Sequence, residues 1–223
     1  MSQKDLFITA PEFLDNGALK NPIMFMDHKL ENLYPQFHRT NYDLKLCAVK
    51  SPTEAEKNFF AYNDYRERFG CDDISVLRDV AQRSPAKTVF LNGFRQKHLE
   101  YLAPYIQDSV ELLYLFKCNT ISDLSVLSTF PNLKCVLIFW NNKLETLWDV
   151  QQNEKLTVLS FLTITKLRNV DALRKSHIEY ITFDSSDNCG NRKPCLLENP
   201  DVFQEIPTLK HLMLVYKKYS IDY

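Results

Sequence analysis

At 223 residues, with 45 % hydrophobic and 25 % charged side chains, the chain has the balance of a globular protein of one sizeable domain or two small ones. A formal net charge of −1 and scattered Lys and Arg, whose densest run is Lys217-Lys218, exclude an electrostatic nucleic-acid binder, because phosphate neutralisation needs a clustered basic surface. Only 4 Gly stand against 15 Phe and 11 Tyr, which leaves few flexible joints and many large side chains to place.

The first residues, Met1 to Asp5, are polar, and no apolar run of signal-peptide character follows before Asp15. No run anywhere reaches the roughly 18 apolar residues of a membrane span, so a cytoplasmic location without a membrane partner is expected. Pro11, Gly17, Pro22 and Pro35 cut residues 1–52 into short pieces, in which Ile23-Met24-Phe25-Met26 reads as a brief strand or packed loop. Asp43 to Val49 alternates well enough for a strand or an atypical repeat. Ser51-Pro52-Thr53-Glu54 then combines an N-cap Ser, Pro at the first helical position and Glu three residues after the cap. The helix this predicts runs through Phe59, Phe60, Tyr62 and Tyr65 to Phe69 and stops at Gly70. A second helix is expected from Asp72 or Asp73, burying Ile74, Leu77, Val80 and Ala81 and ending near Ser84-Pro85.

Beyond that point the chain repeats. Val110, Leu113, Leu115 and Cys118 fit the pattern L-x-x-L-x-L-x-x-N/C, and 23 residues on Leu133, Val136, Ile138 and Asn141 fit it again. A further 23 gives Leu156, Leu159, Phe161 and Ile164; 22 more gives Ile178, Ile181, Phe183 and Ser186; a longer step of 31 reaches Leu209, Leu212, Leu214 and Lys217. Ala86, Val89, Leu91 and Phe94 form an earlier, weaker copy. The second half of the unit keeps the same beat, with Ile121, Leu124 and Leu127 matched by Leu144, Leu147 and Val150 and then by Leu167, Val170 and Leu173. In each unit the L-x-L stretch is a short strand with its leucines facing in and the x residues facing out, and one unit cannot bury its apolar face without neighbours. The Asn/Cys position serves the tight turn after the strand; Asn141 and Cys118 suit it, and Ile164, Ser186 and Lys217 do not.

From Val89 to Tyr216 the sequence resembles leucine-rich-repeat proteins of the short class, with units of about 22 residues, the internalin-like and phosphatase-regulatory type. The resemblance implies an α/β fold: a curved solenoid with a parallel concave sheet that binds partners, usually proteins, on that face, and it carries over no catalytic residue. Two departures stand out, the weak first copy and the eight or nine extra residues in the fourth unit. An open solenoid end exposes its core, so the two helices ahead of the first unit are read as an N-terminal helical cap. The domains expected are 1–85, an irregular segment plus helical cap, and 86–223, the solenoid.

In this register the outward positions form columns. One reads Phe90, Tyr114, Leu137, Ser160, Thr182 and Met213, the next Phe116, Phe139, Leu162, Asp184 and Val215, with Trp140, Tyr180 and Tyr216 beside them. Such an apolar surface marks an interaction site, and its aromatic side chains are of the kind that dominate binding energy. The candidate partner-binding residues are Tyr114, Phe116, Leu137, Phe139, Trp140, Leu162, Tyr180, Met213 and Tyr216. The alternative is cover by residues 1–52 or by a second copy in a homodimer.

Signs of chemistry are missing. There is no H-E-x-x-H, no P-loop, no dinucleotide fingerprint and no nucleophile elbow, and the five histidines are far apart. No cofactor, catalytic residue or metal site is expected. The six cysteines show no C-x-x-C pair and read as buried thiols; Cys189 and Cys195, six apart in a polar insert from Ser186 to Leu197, leave a disulfide or half a metal site as the lesser alternative, with no His or further Cys nearby to complete a tetrahedral set. The insert is a second contact region, since loops carry function more often than cores. The sequence thus points to a non-enzymatic protein- or peptide-binding module, with a structural or self-associating protein as the alternative.

Overall fold

The computed structural model describes residues 43–48, 85–184 and 197–215. Seven strands, β1 (Leu44–Cys47), β2 (Thr88–Asn92), β3 (Leu112–Phe116), β4 (Cys135–Asn141), β5 (Val158–Ile164), β6 (Tyr180–Asp184) and β7 (His211–Val215), form one parallel sheet in sequence order. The fold is α/β. The pairing follows the sequence period: Val89, Leu113, Val136, Leu159, Ile181 and Leu212 lie in one row, and Leu91, Leu115, Ile138, Phe161, Phe183 and Leu214 in another. The sheet reaches back across the expected boundary at residue 85, because Leu44–Cys47 pairs with β2. Asp43 fixes that junction: its carboxylate accepts the N–H groups of Lys87 and Thr88, each at 2.9 Å, and its own N–H donates to Thr88 Oγ1. The two helices expected between Ser51 and Ser84 lie outside the described residues, as do Cys71, Cys189, Cys195 and most of the insert.

Between β2 and β6, and from Leu197 to β7, the chain returns along one side of the sheet. Helix α1 (Gln96–Ile106) makes the crossover from β2 to β3, burying Leu99, Leu102, Ala103 and Ile106. Later crossovers shrink to 3-10 turns at Ser125–Thr129, Val150–Gln152, Asp171–Leu173 and Pro200–Glu205. Three of these follow an Asx turn, in which Asp123, Asp149 or Asn169 accepts the N–H two residues on. The expected inward residues of these segments, Ile121, Leu124, Leu127, Leu144, Val150, Leu167, Val170 and Leu173, are buried against the inward rows of the strands, and Leu147 is partly buried there. Each fully buried aliphatic side chain contributes about 1.5–3 kcal/mol relative to exposure.

Two buried asparagines bind one unit to the one before it. Asn141 Nδ2 donates to Cys118 O at 2.9 Å and Ile121 O at 2.8 Å, while its Oδ1 accepts from Lys143 N and Leu144 N, both at 2.8 Å. Cys118, one unit earlier, makes weaker contacts of 3.5 Å from its thiol to Leu91 O and Phe116 O. Asn153, which the repeat pattern did not single out, donates to Leu127 O and Phe130 O and accepts from Trp148 Nε1.

The strand ends share a backbone device. Gly93, Lys117, Trp140 and Thr163 all have φ between 52° and 68°. Pairing lapses at Trp140 and Thr163 and resumes at Asn141 with Ile164, so the strand's alternation is reset and Asn141 turns back to the core. Glycine takes this conformation freely, whereas other L-residues pay roughly 1–2 kcal/mol. Lys175 (φ 56°) also adopts it, on an exposed turn. Lys175→Gly or Lys175→Asn is therefore expected to raise stability by about 0.5–1 kcal/mol, read as a higher denaturation midpoint; an unchanged or lower midpoint in both variants contradicts this.

Along the opposite, amino-terminal edge runs an ionic row. Glu111 is bridged by Lys87 at 3.2 Å and Lys134 at 2.7 Å, and Glu179 by Lys210 at 2.8 Å, with Thr157 interrupting the sequence of charges. The Lys134 hydrogen bond, reinforced by Lys87 against partial desolvation, holds the Glu111 carboxyl below the ordinary glutamate range. A carboxyl depressed in the folded state stabilises it above the unfolded pKa, and that contribution fades as pH falls through the folded value. Both partners are partly exposed, so Glu111→Gln should cost less than about 1 kcal/mol at neutral pH and nothing once the carboxyl is protonated. Denaturation midpoints of the two proteins compared from pH 7 to pH 3 check this: the gap should close on acidification.

Candidate binding face

On the side of the sheet away from helix α1 the strands set their alternate side chains in straight columns. The central column is Phe90, Tyr114, Leu137, Ser160 and Thr182, and the next begins Phe116, Phe139 and Leu162. The rings lock together: Phe116 stacks on Phe139 with centroids 5.0 Å apart and planes 7° from parallel, and Phe90 stacks on Phe116 at 5.8 Å. Tyr114 meets Phe90 edge-on at 5.3 Å. At the carboxyl ends of the strands the Lys117 ammonium lies 5.3 Å from the Phe116 ring centre and 5.5 Å from that of Trp140, in cation–π range of both.

This face does not stand open to water. Leu137 is 2 % exposed, Phe116 3 %, Tyr114 and Leu162 5 % and Phe139 6 %. Trp140 and Tyr180 are half-buried at its margins. Met213 lies in register with Thr182, its side chain outside the described set, and Tyr216 falls outside the described residues altogether. Both readings of the columns, an interaction site and a face covered by residues 1–52 or by a second copy, start from this apolar surface, and parallel sheets are commonly covered on both faces. The columns do not belong to the core cluster that unites the inward rows with the crossovers, so the sheet separates two apolar layers. Among the described residues Tyr105, on helix α1, is the one large apolar side chain that is exposed.

The polar members of the face are few. Ser160 and Thr182, neighbours in β5 and β6, are fully buried. Cys135, at the head of β4, is a free, buried thiol whose pKa is pushed well up by desolvation, so it stays protonated and unreactive. Among the described histidines His98 is buried, and it is engaged at the start of helix α1, where its Nδ1 accepts the Arg95 N–H at 3.2 Å. Among the described residues no group of three or more His, Cys, Asp or Glu could hold a metal ion, and no helix is long and apolar enough to cross a membrane. The arrangement offers shape, aromatic area and a cationic lip. Comparison with known families, curated proteins and solved structures finds no match.

Proposed function

We propose that this chain is a leucine-rich-repeat solenoid with an N-terminal helical cap, acting as a non-enzymatic interaction module in the cytoplasm, and that its concave face holds a protein or peptide segment. The observation that carries this reading is the aromatic stack of Phe90, Phe116 and Phe139, continued to the lip by Trp140 and Lys117. Such a strip suits an extended segment: apolar side chains seat on the rings while their main chain runs across the strands. The strict one-strand-per-unit register and the Asn141 turn support the solenoid. The burial of the face favours a second reading, that of a structural or self-associating protein whose concave face is permanently covered by its own N-terminal segment or by a homodimer partner.

Trp140→Ala separates the two, because Trp140 is half-buried at the margin and its loss leaves the stacked rings in place. Capture from native cell extract should retain a protein with the wild type and lose it with the folded variant. Equal capture by both overturns the binding reading. Light scattering across a range of concentrations checks self-association, and a concentration-independent monomer removes the homodimer.

A further inference from the structure

We propose that the lip at the carboxyl ends of β3, β4 and β5 anchors an acidic peptide segment, whose carboxylates meet Lys117, Lys143 and Lys166 in three successive turns. The inference deepens the reading of this chain as a peptide-binding module and rests on it.

The backbone singles out this edge first. Lys117, Trp140 and Thr163 follow directly on the paired residues Phe116, Phe139 and Leu162, and all three lie in the left-handed region, at φ 52°, 59° and 56°. Gly93 ends β2 in the same conformation, at φ 68°, without strain. A bulky or β-branched residue at positive φ is an outlier, and such outliers cluster at binding sites. Two of the three side chains already meet, the Lys117 ammonium lying 5.5 Å from the Trp140 ring centre.

The charges single out the same edge. Three residues beyond Trp140 and Thr163, the turns carry exposed lysines, Lys143 and Lys166. These turns pack side by side: Thr165 N–H donates to Asn141 O at 3.4 Å, and Thr165 Oγ1 to Asn142 Oδ1 at 3.2 Å. Lys143 enters no ion pair among the described residues. Lys166 meets Glu145 at 4.0 Å, and with that carboxylate 70 % exposed the pair is weak. Residues 117–122, 140–145 and 163–168 together hold four cations and one carboxylate. The amino-terminal edge is different, since there Glu111 matches Lys87 and Lys134, and Glu179 matches Lys210.

An extended acidic segment has the right reach. Three neighbouring strands cover two strand spacings, about 10 Å, which is the length of roughly three residues of extended chain. A segment crossing the strand ends brings a carboxylate to each turn when Asp or Glu recurs at every second or third position. Exposed pairs are weak singly and screened by salt, so the lip acts through their number.

Fluorescence anisotropy on the full chain tests this. The probes are a labelled twelve-residue peptide of alternating Glu and Ser and its Gln–Ser counterpart, titrated at low and at physiological salt. At low salt the Glu peptide should bind about tenfold tighter than the Gln peptide, and the gap should narrow as salt rises. Lys143→Glu with Lys166→Glu should weaken the Glu peptide by about tenfold or more. Lys155→Glu with Lys175→Glu, the same charge change at exposed lysines away from the lip, should leave it within about twofold. Equal affinity for the two peptides overturns the acidic chemistry, and equal losses in the two double variants overturn the lip as its site. An oligothymidylate of the same length that binds more tightly than the Glu peptide overturns the assignment in favour of a nucleic acid. Should the reversed variant fail to fold, Lys143→Gln with Lys166→Gln replaces it, with a loss of about threefold expected and no loss overturning the proposal. If Trp140→Ala loses a captured partner while the Glu peptide binds no better than the Gln peptide, the interaction module stands and this inference falls.

Discussion

Asn141→Ala is expected to cost about 3–4 kcal/mol, among the largest single-residue losses in the molecule. The side chain is buried and makes four hydrogen bonds, two given to the carbonyls of Cys118 and Ile121 in the preceding unit and two taken from Lys143 and Leu144 in its own turn. Alanine leaves all four backbone groups without their partner, and each buried orphan costs about 1–3 kcal/mol unless water or a shifted turn relieves it. Asn141→Asp is nearly as harmful, because it keeps the acceptors and turns the two donors into a charge facing carbonyl oxygens. Cys118→Ala should cost only about 1–2 kcal/mol, since a thiol bonds weakly and most of its contribution is packing. Urea midpoints measured side by side check the order. Equal losses at 118 and 141 remove the claim that the Asn side chain is the joint between units.

Much of this was legible before the structure. The strand rows from Val89 to Leu214 fall where the L-x-L period puts them, because a residue row shared by neighbouring units must repeat at the unit's length. Asn141 was marked by its place in the same motif. Helix α1 is legible too, since His98, Leu99, Leu102, Ala103 and Ile106 carry a 3.6-residue spacing inside the repeat's 23-residue beat. Asn153 escaped because its position lies outside the L-x-L motif, and only its bonds to Leu127 O and Phe130 O show its role. The left-handed residues Lys117, Trp140 and Thr163 could not be anticipated, since none is a residue that prefers that conformation. For the candidate face, the pattern fixed which side chains share a column but not what lies over them. An outward Phe beside an outward Phe reads the same whether the neighbour is water, another segment or another molecule.

Phe139→Ala turns that ambiguity into a number. On an open face the truncation removes a solvated ring and changes stability by roughly 0.5 kcal/mol or less. Phe139 is instead buried, stacked on Phe116 and edge-on to Trp140, so the expected loss is about 3–5 kcal/mol. Part of it, on the order of 1 kcal/mol, belongs to the ring pair itself and should vanish when Phe116 is already alanine. Phe161→Ala supplies the standard, since Phe161 is equally buried one strand away but faces the core on the other side of the sheet. Losses of the same size at 139 and 161 mean that both sides of the sheet are interior in the free protein. A loss at 139 below about 1 kcal/mol, beside a full loss at 161, means that the cover over the rings contributes little to holding the chain folded. The ring layer is then available to a partner at little energetic cost, and the aromatic stack is kept for binding rather than for stability.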